Sequence, residues 1–170
     1  LGTFFRLRSL VLILPHLIAM SRLFCLLLTA WLGCQAAAHA QQFPIPQASP
    51  HAVITHTIGL TDVTVDYHAP GVKNRKVWGN LVPYEQVWRA GANENTLITV
   101  SDSVRIGGRP VAAGTYSVYV LPSNDHDWQF ILNKVTNHWG SEGYDAKDDV
   151  LRVAVVPETT TPARETLHYW

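Results

Sequence analysis

The chain has 170 residues, 47% hydrophobic and 15% charged, which gives room for one folded domain and argues against disorder. Its formal charge of zero hides an asymmetry. Three of the 13 basic residues (Arg6, Arg8, Arg22) precede position 41 and all 13 acidic ones follow it, so residues 41–170 hold 10 basic groups against 13 acidic, a net of −3. A mildly acidic domain lacks the basic surface that gathers phosphates, and this excludes nucleic acid as a partner.

The chain opens on an export leader. Residues 20–40 read MSRLFCLLLTAWLGCQAAAHA: Arg22 forms a positive start, Leu23 to Leu32 an apolar stretch, and Ala38-His39-Ala40 a small-x-small cleavage site before Gln41. Met20 is the only methionine and stands directly before this pattern, so residues 1–19 read as an upstream extension and 20–40 as the signal peptide. A single membrane helix over Leu10–Leu32 would contain Pro15, His16 and Arg22, and one charge near its centre costs about 3 kcal/mol. The mature chain is therefore expected to have no transmembrane helix and to be periplasmic or extracellular. A lipoprotein signal ending at Cys34 is the weaker alternative, because the residues before Gly33-Cys34 fit that motif poorly. Both cysteines, Cys25 and Cys34, fall in the leader, so residues 41–170 have no thiol to form a disulfide.

Residues 41–50 are a proline-punctuated tether, extended because each proline bars helix at the residue before it. From 51 to 170 the chain reads as a single β domain. Apolar residues alternate with period two in Val53–Ile58 and Val63–Tyr67, around the turn Gly59–Asp62. Leu97–Val100 and Val104–Ile106 follow, and Gly107-Gly108 is a two-residue turn able to take positive φ before the return arm Arg109–Val111. In Thr115–Leu121 the even residues Tyr116, Val118 and Val120 are expected to face inward and Thr115, Ser117 and Tyr119 outward. Trp128–Leu132, Val150–Val156 and Glu165–Trp170 complete the expected strands. The fold class is all-β: an antiparallel β-sandwich or partly open barrel with one long polar loop.

That loop is residues 68–96, which do not alternate. Polar groups concentrate there, interleaved with Trp78, Tyr84 and Trp88, and loops of this length inside a domain are often functional. Arg89 has a planar fork suited to a carboxylate, and Glu94 is the nearest plausible partner. The favoured reading is a structural clip of Arg89 on Glu94 above a plug of Trp78 and Trp88. The alternative is a pocket floor, with Arg89, Asn93, Glu94, His68 and Trp88 as its binding residues.

The same stretches resemble an uncharacterised bacterial family, domain of unknown function 2911. They are Ile58–Tyr67, Pro70–Gly79, Leu81–Tyr84, Val87–Thr96, Ala113–Ser117, Phe130–Lys134 and Trp139-Gly140. The resemblance spans residues 47–170 and implies an exported β-rich domain without an assigned activity. It also implies that family members continue past the strand matching Glu165–Trp170, so one or two closing strands are expected to lie beyond this chain.

Catalytic signatures are sparse. His51, His56, His68, His126, His138 and His168 have no paired metal spacing, so no metal and no cofactor are expected. No Gly-x-Ser-x-Gly elbow is present, and Asp125-His126-Asp127 sits in a short turn. Trp128, Trp139 and Tyr144, with Asn133, Asn137 and Asp145, are candidates for a sugar-binding surface, although aromatic residues more often build cores. The leading reading is an exported non-catalytic module that binds a glycan, peptide or protein of the envelope. An envelope hydrolase using Glu94 with His68 or Asp66 is the second, and a purely structural scaffold the third.

Overall fold

Alternating β-branched and aromatic residues build the framework. In the computed structural model, which describes Arg22, 45–159 and 161–170, strands β1 (His51–Ile58) and β2 (Thr61–His68) form a hairpin turned by Gly59-Leu60. β2 pairs with β3 (Leu97–Val100), β3 with β6 (Gly114–Leu121), β6 with β7 (Trp128–Asn133) and β7 with β8 (Asp149–Val155), every pair antiparallel. Between β3 and β6 the chain leaves the sheet to make β4 (Val104–Ile106) and β5 (Arg109–Val111), a separate two-stranded sheet. Gly107 and Gly108 turn that hairpin at φ 55° and 76°, the left-handed conformation a two-residue turn requires. The six-stranded sheet, in the order β1-β2-β3-β6-β7-β8, is not closed, so the architecture is the sandwich-like form rather than a barrel. The leader lies outside the described residues, apart from Arg22. Among the described residues no helix is long and apolar enough to cross a membrane.

The hydrophobic core lies where the small hairpin covers one face of the large sheet. Val111 of β5 packs with Val118, Leu132 and Leu151, and Val104, Ile106, Tyr116, Val120, Phe130 and Val153 surround them. Ala90 and Trp88 join this core from the long connection. The even residues of β6 therefore face inward, as the alternation predicts. Ser117 and Tyr119, expected in solvent, are fully buried as well. Their face is covered by residues 134–148: Ser117 Oγ lies 2.7 Å from Val135 O, and the Tyr119 ring meets Tyr144 at 5.0 Å. Alternation marks which face is apolar. It does not reveal that a polar face will be covered, because hydroxyl and amide groups are buried at little cost once they are paired.

That second layer is a hydrogen-bonded network. In the orientation that satisfies its neighbours, Asn95 donates its amide to His138 O (2.9 Å) and Gly140 O (2.7 Å), while its oxygen accepts from the Ser117 and Tyr119 hydroxyls. Further along, Tyr144 donates to Asp149 at 2.8 Å, and Arg152 donates to Tyr144, Asp149 and Gln129. Burial, reinforced by the bond to Asp149, pushes the Tyr144 phenol up to about 12, and burial raises Tyr119 as well. In the unfolded chain both ionise near pH 10, whereas the folded protein keeps its protons longer. The folded state thus binds more protons above pH 10, and stability present below that pH is lost as pH rises towards about 12. Chemical denaturation at stepped alkaline pH, read beside phenolate absorbance, should show this fall. A flat stability across the same window would contradict it.

Glu165–Trp170 is not the strand expected from its pattern. Only Thr166 forms a bridge, to Gly71, and the backbone bonds Val72 N to Glu165 O (2.7 Å) and Leu167 N to Pro70 O (3.0 Å) tie this segment to the long connection. It runs beside a loop and not a strand, so no ladder can propagate. Pairing of this kind depends on which surface is nearby, which local alternation does not encode.

Candidate functional site

The connection from β2 to β3 is ordered by its attachments. Trp88 exchanges backbone hydrogen bonds with Val120 of β6, both 2.8 Å, and Glu85 N donates to Pro122 O at 2.8 Å. All five non-glycine residues with positive φ among the described residues lie in this connection: Lys73, Asn74, Glu85, Ala90 and Asn93. Such conformations cost energy and persist only where packing imposes them. The packing comes from the tryptophans. Trp78 sits edge-on to Trp88 (5.5 Å) and to Trp128 (4.5 Å), and the Trp128 indole donates to Ser123 O.

On the outer side of this plug lies a groove of about 1230 Å³. Trp78, Trp88 and Arg89 of the connection form part of its lining, and Trp139 and Glu142 of the segment after β7 another part. Arg164, His168 and Trp170 of the C-terminal segment contribute the remaining side. Trp139 is 57% exposed and Trp170 78%. Three arginines meet the groove in different states. Arg75 donates to Val72 O and Gly71 O, and Arg164 lies 4.7 Å over the Trp170 ring. Arg89 is half-buried and lies against Gly140, in the space that a side chain there would need.

The structure divides the five residues expected at a binding site. Trp88 and Arg89 line the groove; His68, Asn93 and Glu94 do not. The clip of Arg89 on Glu94 is not formed. Glu94 instead meets His68, Oε2 to Nδ1 at 3.2 Å, and Arg89 turns away to Gly140. The left-handed residues Ala90 and Asn93 rotate the chain between them, so five residues of separation bring no contact. Asn93 donates to the Gln47 side chain at 3.1 Å and so tethers the segment before β1. The His68–Glu94 pair is half open, Glu94 being 54% exposed, so Glu94→Gln should cost about 1 kcal/mol or less in unfolding free energy. A loss several times larger in a denaturant titration would restore a structural role for this carboxylate.

His68 continues into a row of acids and imidazoles. Its ring lies 5.1 Å from that of His51, its cross-strand partner, and His51 Nε2 meets Asp66 Oδ1 at 2.6 Å. Among the described residues no three His, Cys, Asp or Glu side chains are arranged to hold a metal ion.

Of the six residues considered for a sugar surface, only Trp139 lines the groove. Trp128 packs on Trp78, Tyr144 and Asn133 bond to Asp149, and Asp145 caps the short 3₁₀ turn Ala146–Asp148. The C-terminal contributors, Arg164, His168 and Trp170, went unrecognised in the sequence. Their only local signal is a tryptophan and an arginine in a segment without regular structure.

No curated protein and no solved structure matches this chain. One family does, over residues 49–170, under the description "Protein of unknown function (DUF2911)". The match covers well over half of the chain and includes Trp88, Arg89 and Trp139, which line the groove. The chain belongs to the DUF2911 family of proteins of unknown function.

Proposed function

We propose that this protein is an exported, non-catalytic module that binds a glycan in the groove between its long connection and its C-terminal segment. The observation that carries the reading is the contrast among the tryptophans. Trp78, Trp88 and Trp128 are stacked edge to face, whereas Trp139 and Trp170 expose most of their surface at the groove. An exposed indole leaves a large apolar face in water, and a flat ring at the wall of a groove is suited to stacking on the apolar face of a pyranose. The groove exceeds the size of many small-molecule pockets, which run to about 300–1,000 Å³, and so suits an oligosaccharide better than a monosaccharide.

Export rests on Arg22, the leucine-rich stretch and Ala38-His39-Ala40. Mass spectrometry of protein from its native host should find a mature N-terminus near Gln41, and intact cytoplasmic protein starting at Met20 would sink this part of the reading. For the groove, calorimetric titration of oligosaccharides is the direct test. Trp139→Ala should weaken binding by about tenfold, the scale of one lost aromatic contact, with little change in stability because the ring is exposed. Unaltered affinity would remove the groove from consideration.

The row Asp66–His51–His68–Glu94 favours a hydrolase instead, since an imidazole beside a carboxylate is equipped to act as a general base. Neither His68 nor Glu94 lines the groove, so this chemistry would not reach a ligand held against Trp139. The binding reading stands ahead of it for that reason.

A further inference from the structure

Arg89 is placed by constraints at both ends of its side chain. At the backbone end, the preceding Trp88 is bonded in both directions to Val120, and Ala90, the next residue, is buried in the core. At the far end, the guanidinium lies against Gly140, where a Cβ would overlap with Nη1 and Cζ. Gly140 has φ 68°, in the region that favours glycine, and its carbonyl is held by the Asn95 amide at 2.7 Å. The floor under the guanidinium is thus fixed to the sheet through a buried hydrogen bond.

Charge then distinguishes Arg89 from the other cations of the groove. Arg75 uses its N–H groups on two backbone carbonyls, and Arg164 stacks on Trp170. Arg89 makes no ion pair and no side-chain hydrogen bond among the described residues, although it is half-buried. A guanidinium presents a planar fork of donors that matches a carboxylate with two parallel hydrogen bonds, and partial burial weakens the competition from water. Glu142 and Glu158 also line the groove and bias the remainder of it against a second anion.

We propose that Arg89 is the carboxylate-anchoring residue of the groove and that the glycan it takes is acidic, carrying one hexuronate unit among neutral sugars. This rests on the glycan reading above and adds a charge requirement to it. The uronate carboxylate would sit on the Arg89 fork while a pyranose face stacks on Trp139, the two being neighbours on the same lining.

The test compares a galactose oligomer bearing a single terminal galacturonate with the neutral galactose oligomer of equal length by calorimetry, on the mature protein. The acidic oligomer should bind about tenfold or more tighter, the scale of a charge-assisted hydrogen-bonded pair, and its affinity should fall as salt rises. Arg89→Gln should remove this advantage by weakening the acidic oligomer about tenfold more than the neutral one, and Arg89→Lys should restore only part of it because the fork is lost. Gly140→Ala, which displaces the guanidinium, should reproduce the Arg89→Gln profile and guards against a trivial effect at position 89. Trp139→Ala should weaken both oligomers alike. Equal affinity for the two oligomers, or equal losses for both in Arg89→Gln, overturns the carboxylate anchor while the glycan reading survives. Binding of neither oligomer at millimolar concentration overturns both.

Discussion

Asn95→Leu is expected to lower the unfolding free energy by about 3 kcal/mol or more, since it strands several buried polar groups at about 1–3 kcal/mol each. Asn95 is buried, and its amide is the partner of the His138 and Gly140 carbonyls. Its oxygen faces the hydroxyls of Ser117 and Tyr119, both themselves fully buried. A leucine of similar volume fills the space and satisfies none of these groups. Asn95→Asp is the sharper variant. It nearly preserves shape but turns an acceptor towards two carbonyl oxygens, so its cost should exceed that of Asn95→Leu at neutral pH and shrink as acid protonates the carboxyl. Equilibrium urea unfolding at two pH values would measure both effects. If Asn95→Leu proved as stable as the parent, the polar layer beneath residues 134–148 would not be what holds that segment to the sheet. Because Gly140 is the floor under Arg89, the same variant should also loosen the groove.

Tyr169→Ala should cost about 3 kcal/mol, the usual scale for deleting a large aromatic side chain. The Tyr169 ring stands edge-on to Tyr67 at 4.7 Å, and its hydroxyl donates to Ala90 O at 2.6 Å. Burial raises its pKa strongly, which holds the phenol neutral as a donor. Apart from this anchor, the C-terminal segment is held by backbone hydrogen bonds to Pro70 and Val72 and by an exposed bond from Lys73 N to the Glu165 carboxylate. Tyr169→Phe keeps the ring and removes one hydrogen bond, so about 1 kcal/mol should be lost. Trypsin cleavage after Arg164 should accelerate in Tyr169→Ala and hardly change in Tyr169→Phe. Equal protection in both variants would mean that Tyr169 does not fasten the groove's C-terminal side. Since Arg164, His168 and Trp170 lie on that side, glycan affinity should fall together with protection.

Local geometry was legible in the amino-acid sequence. The alternation in Thr115–Leu121 is a property of a pleated strand, whose side chains change face at every residue, and the apolar set Tyr116, Val118 and Val120 does meet the core. Gly107-Gly108 marked a tight turn because two consecutive positive φ angles exclude most other residues. These signals need no knowledge of distant chain, so the strands up to β8 were legible almost residue by residue, whereas the strand expected at Glu165–Trp170 is not formed. The bounds of β3, β4 and β5 agree with the pattern to the residue.

Tertiary structure decided everything that depends on a partner far away in the chain. Ser117 and Tyr119 are buried because residues 134–148 return over them, and no period within β6 announces that return. Arg89 and Glu94, close in sequence and opposite in charge, part because positive-φ residues between them redirect the backbone, and each finds its neighbour elsewhere: Gly140 lies 51 positions from Arg89, and His68 lies 26 from Glu94. The groove exists only because Trp88, Trp139 and Trp170 are brought together from three separated segments. Hydrogen-bond periodicity is written into adjacent residues. The surface that a loop side chain meets is set by the register of strands and by which segment covers them, and that is fixed only when the whole chain packs.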